Sequence, residues 1–353
     1  MYQQTSLAVS AIGIVSNTLM TAWLARRRMG TTVNRLLALV TLADAVLMSL
    51  YLIYVVHFEL GDRRRCPVDL LTLPWVTFQL IYASASVYLR AFTIWLSVAI
   101  AVYRKMVLSR KAPLHQENVS YALKLAAGVA ASVFVVCIPI FVQYSVVEGP
   151  PAPGNDTLCP GNHSAYYVLQ HPGFVLWNDE FLVKMAFWVN GCMLKLVPCL
   201  LLSYFSMNVV VLMYMRHRKR QRSLFRNNAL INNMKDQISG GSISTGHKSS
   251  HMPSSLILVI ILSITVLCEL PNTTLSVMTG IWPHAFMKTY LSLSSAMDLL
   301  SLFSCTTTSI LYFVMSRVLR ESFSRAVVKC CSRCVGLIAK RDNIEKPETV
   351  DTV

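Results

Sequence analysis

Five charged side chains stand well inside long apolar stretches of this sequence, away from their ends: Asp44, Arg90, Lys195, Glu269 and Asp298. A charge in such surroundings is costly and persists where it faces a partner or a water-filled cavity instead of hydrocarbon. Arg90 and Lys195 fall at depths comparable with Glu269 and Asp298 in their own stretches. These two bases and two acids are expected to pair or to line one polar cavity. Arg90 would be satisfied by Glu269 or Asp298, leaving at least one carboxylate to receive a cationic ligand group. The competing arrangement is a closed set of internal salt bridges that touches no ligand.

The elements that must position these groups follow from composition. Of 353 residues, 54% are apolar and 14% charged, where soluble domains carry about 25% charge. Crossing about 30 Å of hydrocarbon takes roughly 20 apolar residues. Seven stretches qualify, at about 6–25, 36–57, 75–102, 121–145, 182–214, 255–281 and 288–315. The third, fifth and sixth exceed the minimum and are expected to tilt or to extend into water. The expectation is an all-α membrane protein: a seven-helix bundle with a short interfacial helix over 1–329, then a cytoplasmic tail over 330–353. Halves related by an internal repeat, which would suggest a transporter, are not evident. Neither is a His-Glu-x-x-His or nucleophile-elbow pattern, and the eight His lie mostly in loops or at span ends, so an enzyme is not expected.

Lys and Arg outnumber Asp and Glu by 32 to 17, and their placement sets orientation. Assigning the first, second and third inner loops and the tail to the cytoplasm gathers 25 of the 32 there. The N-terminus is then outside, and the chain belongs in the plasma membrane. Arg63, Arg64 and Arg65 are the outer exception, partly balanced by Glu59, Asp62 and Asp69. The run beginning at Arg216 reads as a topology anchor on anionic lipid, not a nucleic-acid site. The rest of the third loop, to about 254, reads as flexible. Asn155 and Asn162 both open glycosylation acceptor patterns in the outer loop after the fourth span. Among ten cysteines, only Cys66 and Cys159 fall in an oxidising compartment, and a disulfide between them is expected. Residues 316–329 combine helical apolar spacing with a basic face, as an interfacial helix does. Cys330, Cys331 and Cys334 beside it are expected to carry palmitate, since no His or fourth Cys completes a metal set. The terminal Asp351-Thr352-Val353 offers the kind of carboxylate end a PDZ groove binds.

Several strings then carry a resemblance. Gly13-Ile14-Val15-Ser16-Asn17, and Asn34 with Leu39, Leu42, Ala43 and Asp44, resemble patterns of the first two helices of rhodopsin-like (class A) G-protein-coupled receptors. The string from Ile94 to Arg104 resembles the third helix of the invertebrate FMRFamide, myosuppressin and sex-peptide receptor group. Trp188-Val189-Asn190-Gly191 with Lys195-Leu196-Val197-Pro198-Cys199, Glu269-Leu270-Pro271, and Met297 to Leu302 running to Tyr312 are similar to its fifth, sixth and seventh helices.

This resemblance implies an extracellular peptide ligand of the Arg-Phe-amide type, a heterotrimeric G protein and arrestin as partners, and membrane lipid around the bundle. It implies ligand contacts at Arg90, Lys195, Glu269, Asp298, Tyr82 and Trp188, with Phe92 and Trp282 as further rings of an apolar floor. Asn17, Asp44, Arg104, Pro271 and Tyr312 become the activation and coupling set, with a sodium ion near Asp44. Glu148, Asp156, Asp179 and Glu180 would steer a cationic peptide. The chain also departs from the pattern. Arg104 lies between Tyr103 and Lys105 without an acidic neighbour, and Thr308-Ser309-Ile310-Leu311-Tyr312 replaces Asn-Pro-x-x-Tyr. The alternative reading is a chemosensory or orphan receptor for a small molecule, or a weakly coupling member.

Overall fold

The computed structural model describes residues 2–26, 31–60, 71–109, 119–149, 166–235, 254–315 and 324–325. Seven long helices form the body: α1 (Tyr2–Leu24), α2 (Thr32–Tyr54), α3 (Leu73–Leu108), α4 (Val119–Phe141), α5, α6 (Ser254–Ile281) and α7 (Pro283–Met315). The fifth is composite: Gly173–Trp188, a π-helical stretch Val189–Leu196, then Val197–Lys235. A further π-helical turn, Val55–Glu59, ends α2. All seven are long and apolar enough to cross a membrane.

Local chemistry explains where helices begin. Thr31 is extended, and its hydroxyl accepts from the Asn34 N–H, capping α2. Pro74 sits in the first turn of α3, where its missing N–H costs no helical bond. Packing then closes a ring. α1 lies against α2 and α7, α3 contacts α2, α4 and α5, and α5 and α6 lead back to α7. The largest buried cluster joins Val33, Leu36 and Val40 of α2 to Leu96 and Ile100 of α3, Leu202 of α5 and Leu262 of α6.

Between α4 and α5 a two-stranded antiparallel hairpin forms, β1 (Ser145–Glu148) with β2 (Tyr167–Gln170), Ser145 facing Gln170. Sequence reading carried the fourth span to 145. The helix instead stops at Phe141, because the chain turns into this strand. The hairpin is tied to the start of α3 by the Tyr167 N–H donating to the Leu71 carbonyl at 2.9 Å. His171 Nδ1 lies 2.8 Å from the Gln143 carbonyl oxygen, and its ring stacks on Tyr144.

The expectation for the third inner loop is also corrected. Residues 216–235 continue α5 as helix, so the basic run is a helical extension, not the start of a loop. Cys66, Cys159, Asn155, Asn162, Cys330, Cys331 and Cys334 lie outside the described residues, as do 236–253 and the tail. Of the interfacial stretch, Ser324 and Arg325 are described, and they are helical and exposed.

Two glycines separate close approach from open space. A Cβ on Gly13 would overlap the Met48 thioether and stand 2.7 Å from Thr306 Oγ1, whereas one on Gly128 meets nothing within 4 Å. Met48 is fully buried. Gly13→Ala is therefore expected to destabilise by about 1–3 kcal/mol through overpacking, and Gly128→Ala, in mid-helix with room for the methyl, to stabilise by up to about 1 kcal/mol. Melting curves of the two purified variants check this, and equal melting temperatures would contradict it.

Candidate functional site

A cavity of about 250 Å³ opens among α3, α5, α6 and α7. Its lining residues come from the first half of α3 and α7 and the second half of α6, which places it toward the hairpin end of the bundle. Arg90, Lys195, Glu269 and Asp298 all line it, together with Tyr82. Four of the five membrane-depth charges therefore share one space.

Their pairing is uneven. Arg90 Nη2 donates to Asp298 Oδ1 at 3.4 Å, a long contact, and the Asp298 side chain remains 44% exposed. Glu269 is 6% exposed, and its Oε2 has no hydrogen-bond partner among the described residues; neither has Arg90 Nη1. Lys195 is not bonded to a carboxylate. Its Nζ donates to Asn272 Oδ1 at 3.0 Å and Ser276 Oγ at 3.3 Å, linking α5 to α6. Arg90 thus takes Asp298 of its two expected partners, and Glu269 is left over.

The π-helical stretch accounts for the placement of Lys195. In a regular α-helix, residues five apart point about 140° away from each other at 3.6 residues per turn. Hydrogen bonds from i to i+5 widen the turn, so Asn190 and Lys195 both reach the cavity wall. Gly191 permits close contact with α6: a Cβ there would stand 3.1 Å from Val277 Cγ2 and 3.2 Å from its backbone nitrogen.

Below this cavity, toward the other end of the bundle, lies a smaller one of about 50 Å³. Asp44, Ser97, Ser304, Cys305, Thr308 and Tyr312 are among its lining residues, and Arg90 and Glu269 line both spaces. Asp44 is buried and lines this space together with Cys305. Asn17 does not bond Asp44. Asn17 donates to the Gly13 carbonyl at 2.9 Å and accepts from Ser309. Tyr312 donates to Asn34 Oδ1 at 3.3 Å. Arg104, about 21 Å along α3 from Arg90 at 1.5 Å per residue, is in electrostatic reach of Tyr312, and its Nε is unpartnered among the described residues.

Two aromatic assignments are corrected. Trp188 is 45% and Trp282 55% exposed, and neither lines the cavity, because both side chains face the outer surface of the bundle. Phe92 packs against the large apolar cluster near the smaller cavity. Pro271 lies within α6 and is exposed on its outer face. Sequence reading passed over Asn190, Asn272, Ser276 and Cys305 as site residues. The signal for the two asparagines was the one that found the charges, a polar side chain at membrane depth.

Seven helices long and apolar enough to cross a membrane, arranged around a charged cavity, define a multi-pass membrane bundle. Comparison with known proteins sharpens this: the chain belongs to the serpentine type 7TM GPCR chemoreceptor family Srw, matched over residues 4–330. It is 25% identical over 355 residues to the G-protein coupled receptor dmsr-1 of Caenorhabditis elegans, covering 94% of this chain and 69% of that one. A ligand and a G protein are the partners this family implies.

If Arg90 is what makes a buried Glu269 tolerable, the two substitutions must be non-additive. Arg90→Met alone should destabilise by about 3–5 kcal/mol, the cost of stranding a buried charge. Arg90→Met with Glu269→Met should recover much of that loss. Thermal unfolding of the purified variants gives the cycle, and strictly additive shifts would remove the coupling.

Proposed function

We propose that this receptor takes an extracellular cationic neuropeptide in the larger cavity and activates a heterotrimeric G protein at the other end of the bundle. The observation that carries the reading is a buried Glu269 carboxylate and a half-exposed Asp298 carboxylate on the wall of one cavity. A ligand guanidinium matches a carboxylate's paired oxygens. At about 250 Å³ the cavity falls just below the range of drug-sized pockets, so it admits the end of a peptide and leaves the rest above it. Membership of the FMRFamide, myosuppressin and sex-peptide group fits the helix strings and supplies the Arg-Phe-amide type.

Orientation follows from basic residues. With the hairpin end outside, the N-terminus is extracellular, Asn155 and Asn162 are available for glycosylation, and Cys66 and Cys159 can pair. Cys330, Cys331 and Cys334 are then cytoplasmic and acylable in the plasma membrane. Exposed Glu148 at the hairpin would contribute to steering.

Ligand binding would act as a population shift, favouring a form in which α6 has moved outward at its inner end. Pro271 supplies a break in the α6 ladder because it has no N–H to donate. The Lys195 link to Asn272 and Ser276 spans the same region and would hold α5 and α6 together as they move. Asp44 connects to this through the smaller cavity, whose wall carries Arg90 and Glu269. A sodium ion there would be held by oxygens of Asp44, Ser97 and Ser304, the hard donors such an ion takes. Arg104 and the basic inner surface would meet the G protein, with arrestin as a later partner.

A second reading has its own support. The matching family is described as chemoreceptor, which favours a small extracellular molecule in the same cavity. One panel separates them: amidated peptides and small volatile or soluble chemicals, applied to cells expressing the receptor with a G-protein dissociation reporter. The expected outcome is a response to at least one cationic peptide, weakened at least about tenfold by Asp298→Asn or Glu269→Gln, the order of one charge-assisted hydrogen bond. A response to small molecules alone selects the second reading. Peptide responses unchanged by both substitutions would remove the carboxylates from the site.

A further inference from the structure

Two groups on the wall of the larger cavity keep both their charge and accessible surface. Lys195 of α5 is half-buried, and among the described residues its Nζ bonds only to neutral acceptors, Asn272 Oδ1 and Ser276 Oγ. An ammonium has three N–H donors, so one remains for a ligand with the α5–α6 link intact. Asp298 of α7 has a side chain 44% exposed, and its contact with Arg90 uses Oδ1 alone, leaving the second oxygen. Lys195 and Asp298 lie within electrostatic reach of each other without being bonded. Both line the cavity, and their signs are opposite.

Charge balance sharpens the demand. Arg90 and Lys195 offset Glu269 and Asp298, so the wall as a whole is neutral. A purely cationic ligand would leave a surplus positive charge beside Lys195 and Arg90. A purely anionic one would leave a surplus negative charge beside Glu269 and Asp298. Net charge away from water is costly unless it is paired. A ligand with one base and one acid keeps the site neutral and gives each open group a partner. Glu269 does not compete for the base, because it is 6% exposed and acts on Lys195 only through space.

We propose that the cavity takes a dipolar ligand, whose acid accepts from the third N–H of Lys195 and whose base donates to Asp298. This rests on the cavity being the ligand site and adds an anionic half to what enters it. The chain joining the two charges meets Val87, Ile94, Leu194 and Leu275, apolar residues of the lining. Lys195 is thereby a specificity residue as well as the link between α5 and α6. An acid bound there touches the nitrogen that also donates to Asn272 and Ser276, so the ligand and the α5–α6 contact share one atom. The same chemistry has two sources, a free molecule of amino-acid type or an acidic and a basic side chain of one peptide.

The test needs no natural ligand. Two probe sets are titrated against the full-length receptor in lipid nanodiscs, with binding read from thermal stabilisation. One is the straight-chain ω-amino acids from glycine to aminohexanoic acid, each beside the amine and the acid of matching length. The other is acetyl-glutamyl-arginine N-methylamide beside its glutaminyl and citrulline counterparts, which remove one charge at a time. In at least one set the dipolar probe is expected to bind about tenfold more tightly than either singly charged relative, the order of one charge-assisted hydrogen bond. The set that shows this identifies the source, a small molecule or a peptide. Lys195→Met should abolish the advantage given by the acid, Lys195→Arg should retain most of it, and Asp298→Asn should abolish the advantage given by the base. The wild-type series alone decides the matter if a variant folds poorly. Amines and the glutaminyl peptide binding as tightly as the dipolar probes overturn the Lys195 assignment and leave the cationic-ligand reading intact. Absence of binding by any probe overturns it too, while the cell panel judges the receptor reading separately.

Discussion

Hydrocarbon offers no hydrogen bonds, and the architecture of this receptor follows from that. Every backbone group within a span must be satisfied inside the protein, which restricts the spans to helices. Polar side chains obey the same rule. Ser10, Ser49, Ser97 and Thr306 return their hydroxyls to carbonyls four residues earlier, so their hydroxyls are satisfied within apolar helices by their own backbone. Asn17 and Tyr312 cannot be satisfied so locally. They reach other helices, Asn17 to Ser309 of α7 and Tyr312 to Asn34 of α2. Polar groups thus divide into those that tolerate the membrane and those that tie the bundle together.

Against a background in which nearly everything is paired, the unpaired groups carry information. Arg90 and Glu269 each keep an unmatched atom, and both line the two cavities. They form the boundary between the larger cavity and the space around Asp44. Any ligand that bonds them also changes the electrostatics of the lower cavity, because the same side chains form its wall. Coupling between the two regions then requires no long chain of contacts, only a shift of shared residues, Arg90 and Glu269 among them.

Much of this was legible in the sequence because hydropathy and charge are one-dimensional signals. Seven spans, the side-chain charges at membrane depth and their gathering on α3, α5, α6 and α7 needed only residue type and position. Pairing was not legible to the same degree. Arg90 had two candidate acids, and choosing Asp298 depends on helix rotation, which residue type does not specify. Trp188 and Trp282 show the same limit from the other side. An aromatic residue near a span end suits a cavity floor and a lipid-facing surface equally, and in this bundle both face outward. The hairpin was missed because its strands are four residues each, too short for an alternation pattern to register beside a long apolar run.

The most consequential feature invisible to a 3.6-residue period is the wide turn in α5. Read as an α-helix, Asn190 and Lys195 point apart, and one of them must face lipid or a neighbouring helix. The i to i+5 pattern from Val189 to Leu196 turns both toward the cavity and uses Gly191 to bring α6 close. It also leaves its cost in the helix, since a π turn is rarely stable without a tertiary reason. That reason is visible across the interface: Lys195 donates to two α6 side chains, and Val277 fills the space that a side chain at 191 would occupy. The distortion and the α5–α6 contact are therefore one feature. It sets which polar side chains of α5 line the cavity, and it places the Lys195 amine within the link that holds α5 to α6.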